Sequence, residues 1–407
     1  MNISCVRFRR KALLAALFLA LPMSASAAQT NDEIKQQLDA LQSQVTALSS
    51  ELQQAAEWKN PNTLVHMAGY GAVGFVSPEN GNDSFIVGAF APIFHYQYRD
   101  VVMLESELEM SVLPDGETEI ALEYLTVDWF FSDYATLVAG KFLSPVGQFR
   151  QNSHPTWINK MPSAPPGFGH DGAAPVSELG FQVRGGLPLG SMHANYAVYA
   201  SNGPELNSAT ADEVEFELEG VRAESFGADR DGNKSYGGRF ALLPVPSVEI
   251  GLSFATGKAT VTELENEVSS ASPGLESGFI TGETARDYSV TGADFIWFTG
   301  NMSLRGEYVK TDIGEATTGA TAGTGAVWEA WYSQFAYRLP NSKWEGVLRY
   351  TDFNSPGTGR DVKQSMYGVN YLVSNNFIAK IAYEVNDGTA GTPVDNNRAL
   401  VQLAYGF

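Results

Sequence analysis

Residues 104–112 read Leu-Glu-Ser-Glu-Leu-Glu-Met-Ser-Val, and this stretch limits the possible folds more than any other. Successive residues of an extended chain point to opposite sides. Glu105, Glu107 and Glu109 therefore share one face, and Leu104, Ser106, Leu108, Met110 and Val112 share the other. Carboxylates at every second position are ruinous against lipid and harmless in a water-filled lumen. The same period of two recurs in segments 64–76, 84–98, 101–112, 117–130, 134–142, 176–187, 191–201, 235–243, 247–257, 285–298, 301–311, 326–339, 343–353, 362–373, 376–387 and 396–407. A soluble sandwich also alternates, but its charge faces outward over a thin core. Sixteen strands in one meander favour a closed barrel.

The connections support closure. Short turns at 99–100, 132–133, 187–190, 244–246, 299–300, 340–342 and 374–375 alternate with longer polar links at 77–83, 113–116, 143–175, 202–234, 258–284, 312–325, 354–361 and 388–395. Short turns at one end and long loops at the other are the barrel rule. Aromatics gather at the short-turn end, among them Tyr96, Tyr98, Trp129, Phe130, Phe131, Tyr134, Trp297, Phe298, Tyr337, Trp344 and Phe377, as an interfacial girdle would. The chain stops on Val401-Gln402-Leu403-Ala404-Tyr405-Gly406-Phe407. This end resembles the closing strand of an outer-membrane β-barrel. The resemblance implies that Leu403, Tyr405 and Phe407 form the signal read by the barrel-assembly machinery.

At the other end, Arg7, Arg9, Arg10 and Lys11 precede the apolar run Ala12–Leu21 and the small residues Ala25-Ser26-Ala27. This pattern predicts a signal peptide over 1–27, too short to be a membrane helix. The single cysteine, Cys5, lies inside it, so the mature chain is expected to lack disulfides and thiol ligands. Removing that segment leaves 22 basic and 46 acidic residues, a net charge of −24, which argues against nucleic acid as a partner. Ile34, Leu38, Leu41, Val45, Leu48 and Leu52 then repeat at alternating intervals of four and three, a coiled-coil seam that ends before Pro61. The alternative is one amphipathic helix lying on its own domain. The expected fold class is all-β, a 16-stranded antiparallel transmembrane β-barrel preceded by a short N-terminal α-helical coiled coil. Its domains are the signal peptide 1–27, a periplasmic helix 28–57, a linker 58–63 and the barrel 64–407.

The longest link, 143–175, carries Arg150, His154, Lys160, His170 and Asp171 beside Phe149, Trp157 and Phe168. A loop of this length is functional or disordered, and its aromatics argue against disorder. It is the candidate pore constriction, with a surface flap as the alternative. Inward positions are not uniform. Glu105, Glu107, Glu109, Glu119 and Glu123 make an acidic wall, while Arg184, Arg239, Arg305, Arg338, Arg349, Lys380 and Arg398 make a basic one. Opposed walls would set a transverse field that sorts ions; salt-bridged packing with little selectivity is the other reading. Links 202–234 and 258–284 read as solvated acidic loops. No histidine lies in a catalytic motif, so no enzyme, cofactor or metal is expected.

Gly140-Lys141-Phe142-Leu143-Ser144-Pro145-Val146-Gly147 resembles the G-[KR]-F-x-x-P-x-G element of the phosphate-selective porin O/P-like family. The resemblance implies sixteen strands, a terminal Phe and a homotrimer in the Gram-negative outer membrane, among lipid and lipopolysaccharide. In that family phosphate selectivity rests on an arginine ladder and a lysine cluster; loop 143–175 offers only Arg150 and Lys160. The function expected is passive diffusion of small polar or anionic solutes. A sugar-specific porin using Trp328 and Tyr332, and a structural tether anchored by the barrel, are the alternatives.

Overall fold

A computed structural model describes Ser43 and residues 63–113, 116–170, 173–210, 216–222, 229–265, 278–319, 321–323 and 325–407. The chain divides into Met1–Pro61 and Asn62–Phe407. The signal peptide and the seam Ile34, Leu38, Leu41, Val45, Leu48 and Leu52 lie outside the described residues.

The described residues of the second unit hold twenty strands. They are β1 Thr63–Pro78, β2 Ser84–Tyr98, β3 Val102–Val112, β4 Thr118–Ser132, β5 Ala135–Leu143, β6 Ser177–Leu189, β7 Met192–Ser201, β8 Glu205–Thr210, β9 Phe216–Arg222 and β10 Ser235–Val245. There follow β11 Val248–Ala259, β12 Val261–Glu265, β13 Gly278–Phe279, β14 Arg286–Thr299, β15 Met302–Ile313, β16 Ala326–Arg338, β17 Trp344–Asn354, β18 Val362–Leu372, β19 Phe377–Gly388 and β20 Arg398–Gly406. Sixteen of them, β1–β7, β10, β11 and β14–β20, form a closed antiparallel barrel. β1 closes on β20 in the register Tyr70↔Gly406 to Pro78↔Arg398. Gly69 and Phe407 lock the seam by exchanging both main-chain hydrogen bonds, at 3.0 and 2.9 Å.

Period two explains the closure. On β11, Ile250, Leu252 and Phe254 point outward and are exposed, whereas Gly251, Ser253 and Ala255 are buried inside. Closure leaves no unpaired edge, which a bilayer would not tolerate. Trp129, Phe131, Tyr134, Trp297, Phe298, Tyr337 and Trp344 stand exposed around the short-turn end. Two of those turns use left-handed residues, Arg99 at φ 49° and Asn341 at φ 53°, as tight hairpins require. A bulge in the β3–β4 ladder next to Glu107 leaves consecutive residues Glu123 and Tyr124 both buried.

Two links differ from expectation. Segments 202–234 and 258–284 are not plain solvated loops, because they carry a four-stranded sheet in the order β13-β12-β8-β9. β8 and β12 pair in parallel, and Leu206, Val261 and Leu264 are buried in one cluster with Tyr199 and Tyr288 of the barrel. The carboxylate of Glu205 is buried too, and accepts from the Thr262 hydroxyl. The acidic residues of these links hid short apolar stretches able to bury a face.

Candidate functional site: the lumen and its inner loop

The loop after β5 begins in the G-K-F-L-S-P-V-G element, and both of its glycines are required by geometry. Gly140 has φ +125°, and a Cβ there would lie 2.2 Å from the Leu125 carbonyl oxygen. Gly147 has φ +71°, and a Cβ there would lie 1.6 Å from the Glu307 carboxylate. L-residues rarely adopt such angles. That close approach lets Glu307 accept the main-chain N–H groups of Gln148, at 3.1 Å, and Phe149, at 2.9 Å. The Gly147 N–H donates to Ser253 Oγ at 3.0 Å.

From this anchor the loop runs along the inner wall. Phe149–Ser153 form one π-helical turn, and Arg305 reaches Ser153 Oγ at 2.5 Å. The Lys380 ammonium donates to the carbonyls of Thr156 and Met161 and to Gln402. Lys160 pairs with Glu345, and Asn370 donates to the Lys160 carbonyl at 2.9 Å. Arg349 donates to the Ser163 and Ala164 carbonyls at 2.9 and 3.2 Å. Ser163 donates to Glu384, and Thr311 holds the Ala173 carbonyl at 2.7 Å. The Trp157 ring lies 2.7 Å from where a Gly406 Cβ would stand, so the small inward residues of β20 make room for it. Buried loop carbonyls and wall side chains thus satisfy one another, which a segment this deep inside a barrel needs.

The acidic residues gather on β3 and β4. Glu107 is 1 % exposed, accepts from Tyr70 Oη at 2.8 Å and faces His154 Nε2 at 3.7 Å. Glu105 accepts from Tyr124 Oη at 3.0 Å and lies 3.3 Å from His95. Glu109 and Glu123 stand beside them, while Glu119 is exposed towards the long-loop end. Hydroxyls and imidazoles meet Glu105 and Glu107, and among the described residues neither is paired with a Lys or Arg.

The basic residues have divided roles. Arg184 pairs with Asp128 at 2.7 Å, Arg239 with Asp294 at 2.6 Å and Glu249 at 2.8 Å, and Arg398 with Glu384. Arg349 and Lys380 spend their donors on loop carbonyls. Arg338 donates to the Ser342 carbonyl in a short turn, at the exposed rim rather than in the enclosed lumen. Asp128 and Asp294 were missed in the sequence; on β4 the alternation changes phase at Glu123 and Tyr124, so the parity that places Glu119 and Glu123 inward puts Asp128 outward.

Arg150 stands apart. Its side chain is 6 % exposed on the π-helical turn, yet Nε and Nη2 have no hydrogen-bond partner among the described residues. Its main-chain carbonyl is met by His154 Nδ1. His170 is exposed, and Asp171 lies outside the described residues. Trp328 and Tyr332 point inward but are 0 % and 4 % exposed, with Phe168 5.0 Å and Phe149 6.3 Å from the Tyr332 ring. Neither ring offers a face to a passing solute.

A family model described as phosphate-selective porin O and P matches residues 98–407. Solved structures share the fold at low identity. An anion-selective porin from Comamonas acidovorans is 13 % identical with a TM-score of 0.54, covering 85 % of this chain and 100 % of that one. The trimer form of OmpT from Vibrio cholerae is 12 % identical with a TM-score of 0.53, covering 85 % and 99 %. Salmonella typhi OmpF, solved with daunomycin, is 13 % identical with a TM-score of 0.53, covering 86 % and 99 %. No curated protein sequence matches the chain.

Proposed function

The chain belongs to the phosphate-selective porin O and P family, and from that premise we propose that it is an outer-membrane porin whose water-filled lumen is narrowed by loop 143–175. It passes small polar or anionic solutes down their gradient. The observation that carries the preference for anions is Arg150, a buried guanidinium on that loop with two unpartnered nitrogens. The side chain is too enclosed to touch a solute, so its charge acts through its field, which favours an anion crossing the constriction. Glu107 of the acidic wall lies 3.7 Å from His154 on the same loop, so a solute at the constriction meets charges of both signs. Inorganic phosphate is the first anion to test, because the family's description names it.

The working unit is a homotrimer. The trimer form of the OmpT fold relative supports this. The heptad pattern of residues 28–57, which lie outside the described residues but for Ser43, fits a periplasmic segment that would gather the subunits, and lipopolysaccharide is the expected partner of the outer loops. Leu403, Tyr405 and Phe407 are read by the assembly machinery. The test is the zero-current potential of single channels in a potassium chloride gradient. The wild type should show the sign of an anion-preferring pore, and Arg150→Ala should move the potential towards the cation limit. A cation-preferring wild type overturns the reading.

A further inference from the structure

Near the short-turn end of the lumen, β1, β2 and β3 place three chemistry-bearing residues in one cross-strand row. His66 pairs in register with His95, and His95 with Glu105. The two histidine Nδ1 atoms are 3.4 Å apart and the ring centroids 5.5 Å apart. One tetrahedral ion with metal–nitrogen bonds of 2.0–2.1 Å sets its nitrogen ligands about 3.3–3.4 Å apart. The observed separation is therefore that of two ligands sharing one ion. The far side of His95 is also prepared. Its Nε2 lies 3.3 Å from Glu105 Oε1, and Tyr124 Oη donates to that same carboxylate oxygen at 3.0 Å. That 3.3 Å separation places a carboxylate behind His95, where such a group orients a ligating imidazole and raises its basicity.

We propose that His66 and His95 form a binding site for a tetrahedrally coordinated divalent ion of the zinc class. Glu105 is the positioning residue behind His95. Neutral imidazole nitrogens favour such ions over magnesium or calcium, which want oxygen. Among the described residues no group of three His, Cys, Asp or Glu side chains is arranged to hold a metal. The site is thus a two-nitrogen one, with its other positions open to water or to an oxygen of a solute. His66 is exposed, so the ion can exchange with the lumen. Occupancy adds two positive charges beside the acidic wall.

The test is calorimetric titration of the purified full chain in detergent with zinc ion alone, then with magnesium ion alone. Zinc should give a saturable phase and magnesium none. His66→Gln or His95→Gln should abolish that phase, and Glu105→Gln should weaken it by roughly tenfold, the low end for a residue behind a ligand. X-ray absorption of the zinc-loaded wild type, which needs no variant, should show two nitrogen neighbours with the remainder oxygen. Zinc binding by the double variant equal to wild type would overturn the site, as would a wild type that binds none, leaving only a hydrogen-bonded histidine pair. The readout is independent of conduction, so it stands or falls separately from the solute preference.

Discussion

Gly147→Ala should release the start of loop 143–175. A Cβ at this position would stand 1.6 Å from Glu307 Oε1, so the carboxylate or the loop must move. Holding alanine at φ +71° costs about 1–2 kcal/mol. The displaced carboxylate gives up the Gln148 and Phe149 amides, worth about 0.5–1.5 kcal/mol each. Together the attached state loses about 2–5 kcal/mol, and even the lower figure shifts an attached–detached equilibrium roughly thirtyfold. In planar bilayers the variant should show a larger and noisier single-channel conductance. Trypsin should also cut faster after Arg150 and Lys160. Gly346→Ala is the control, because nothing lies within 4 Å of its added Cβ on the outer face. An unchanged conductance from an intact Gly147→Ala barrel would refute the anchoring argument.

Other expectations follow from the same geometry. Lys380→Met strands the carbonyls of Thr156 and Met161, at about 1–3 kcal/mol for each buried acceptor left unpaired. It should speed tryptic cleavage after Lys160 while leaving strand content by circular dichroism unchanged. Leu252→Arg, on the outward face at 65 % exposure, should destabilise refolding into liposomes by about 2–4 kcal/mol if it sits near the midplane. Denaturant titration against Leu252→Ala measures this. Phe407 stacks on Phe90 at 6.1 Å and Tyr405 at 6.4 Å, outside the lumen. Phe407→Ala should lower the yield of assembled barrel in cells more than its stability once folded, which heat-modified gel mobility would report.

Much of the barrel is legible in sequence because its signal is local. All sixteen barrel strands begin and end within two residues of the alternating segments, since one face touches lipid and the other water. The inward or outward sense of Glu105, Glu107, Trp328, Arg349 and Lys380 follows from the same parity. What sequence cannot give is the partner across the lumen. Nothing near Lys380 in the chain says that it will hold the Thr156 and Met161 carbonyls, more than two hundred residues away. The glycines of the G-K-F-L-S-P-V-G element mark the loop start, but the carboxylate that excludes a side chain at Gly147 comes from β15. The sheet of β8, β9, β12 and β13 was hidden for another reason. Its strands are short and dense in acids, and Leu206 and Leu264 count as core only once the two links are brought together. Asp294 was open to the parity argument, whereas the bulge on β4 hid Asp128 from it.

The central claim is a closed wall with lipid on one side and water on the other. Single spin labels at 250, 251, 252, 253, 254 and 255 of β11 in liposomes test it most directly. Collision rates with dissolved oxygen should peak at 250, 252 and 254, and a water-soluble nickel chelate should collide less at these three than at their neighbours. Equal chelate access at all six positions, or oxygen access without a period of two, would contradict a barrel that spans the membrane.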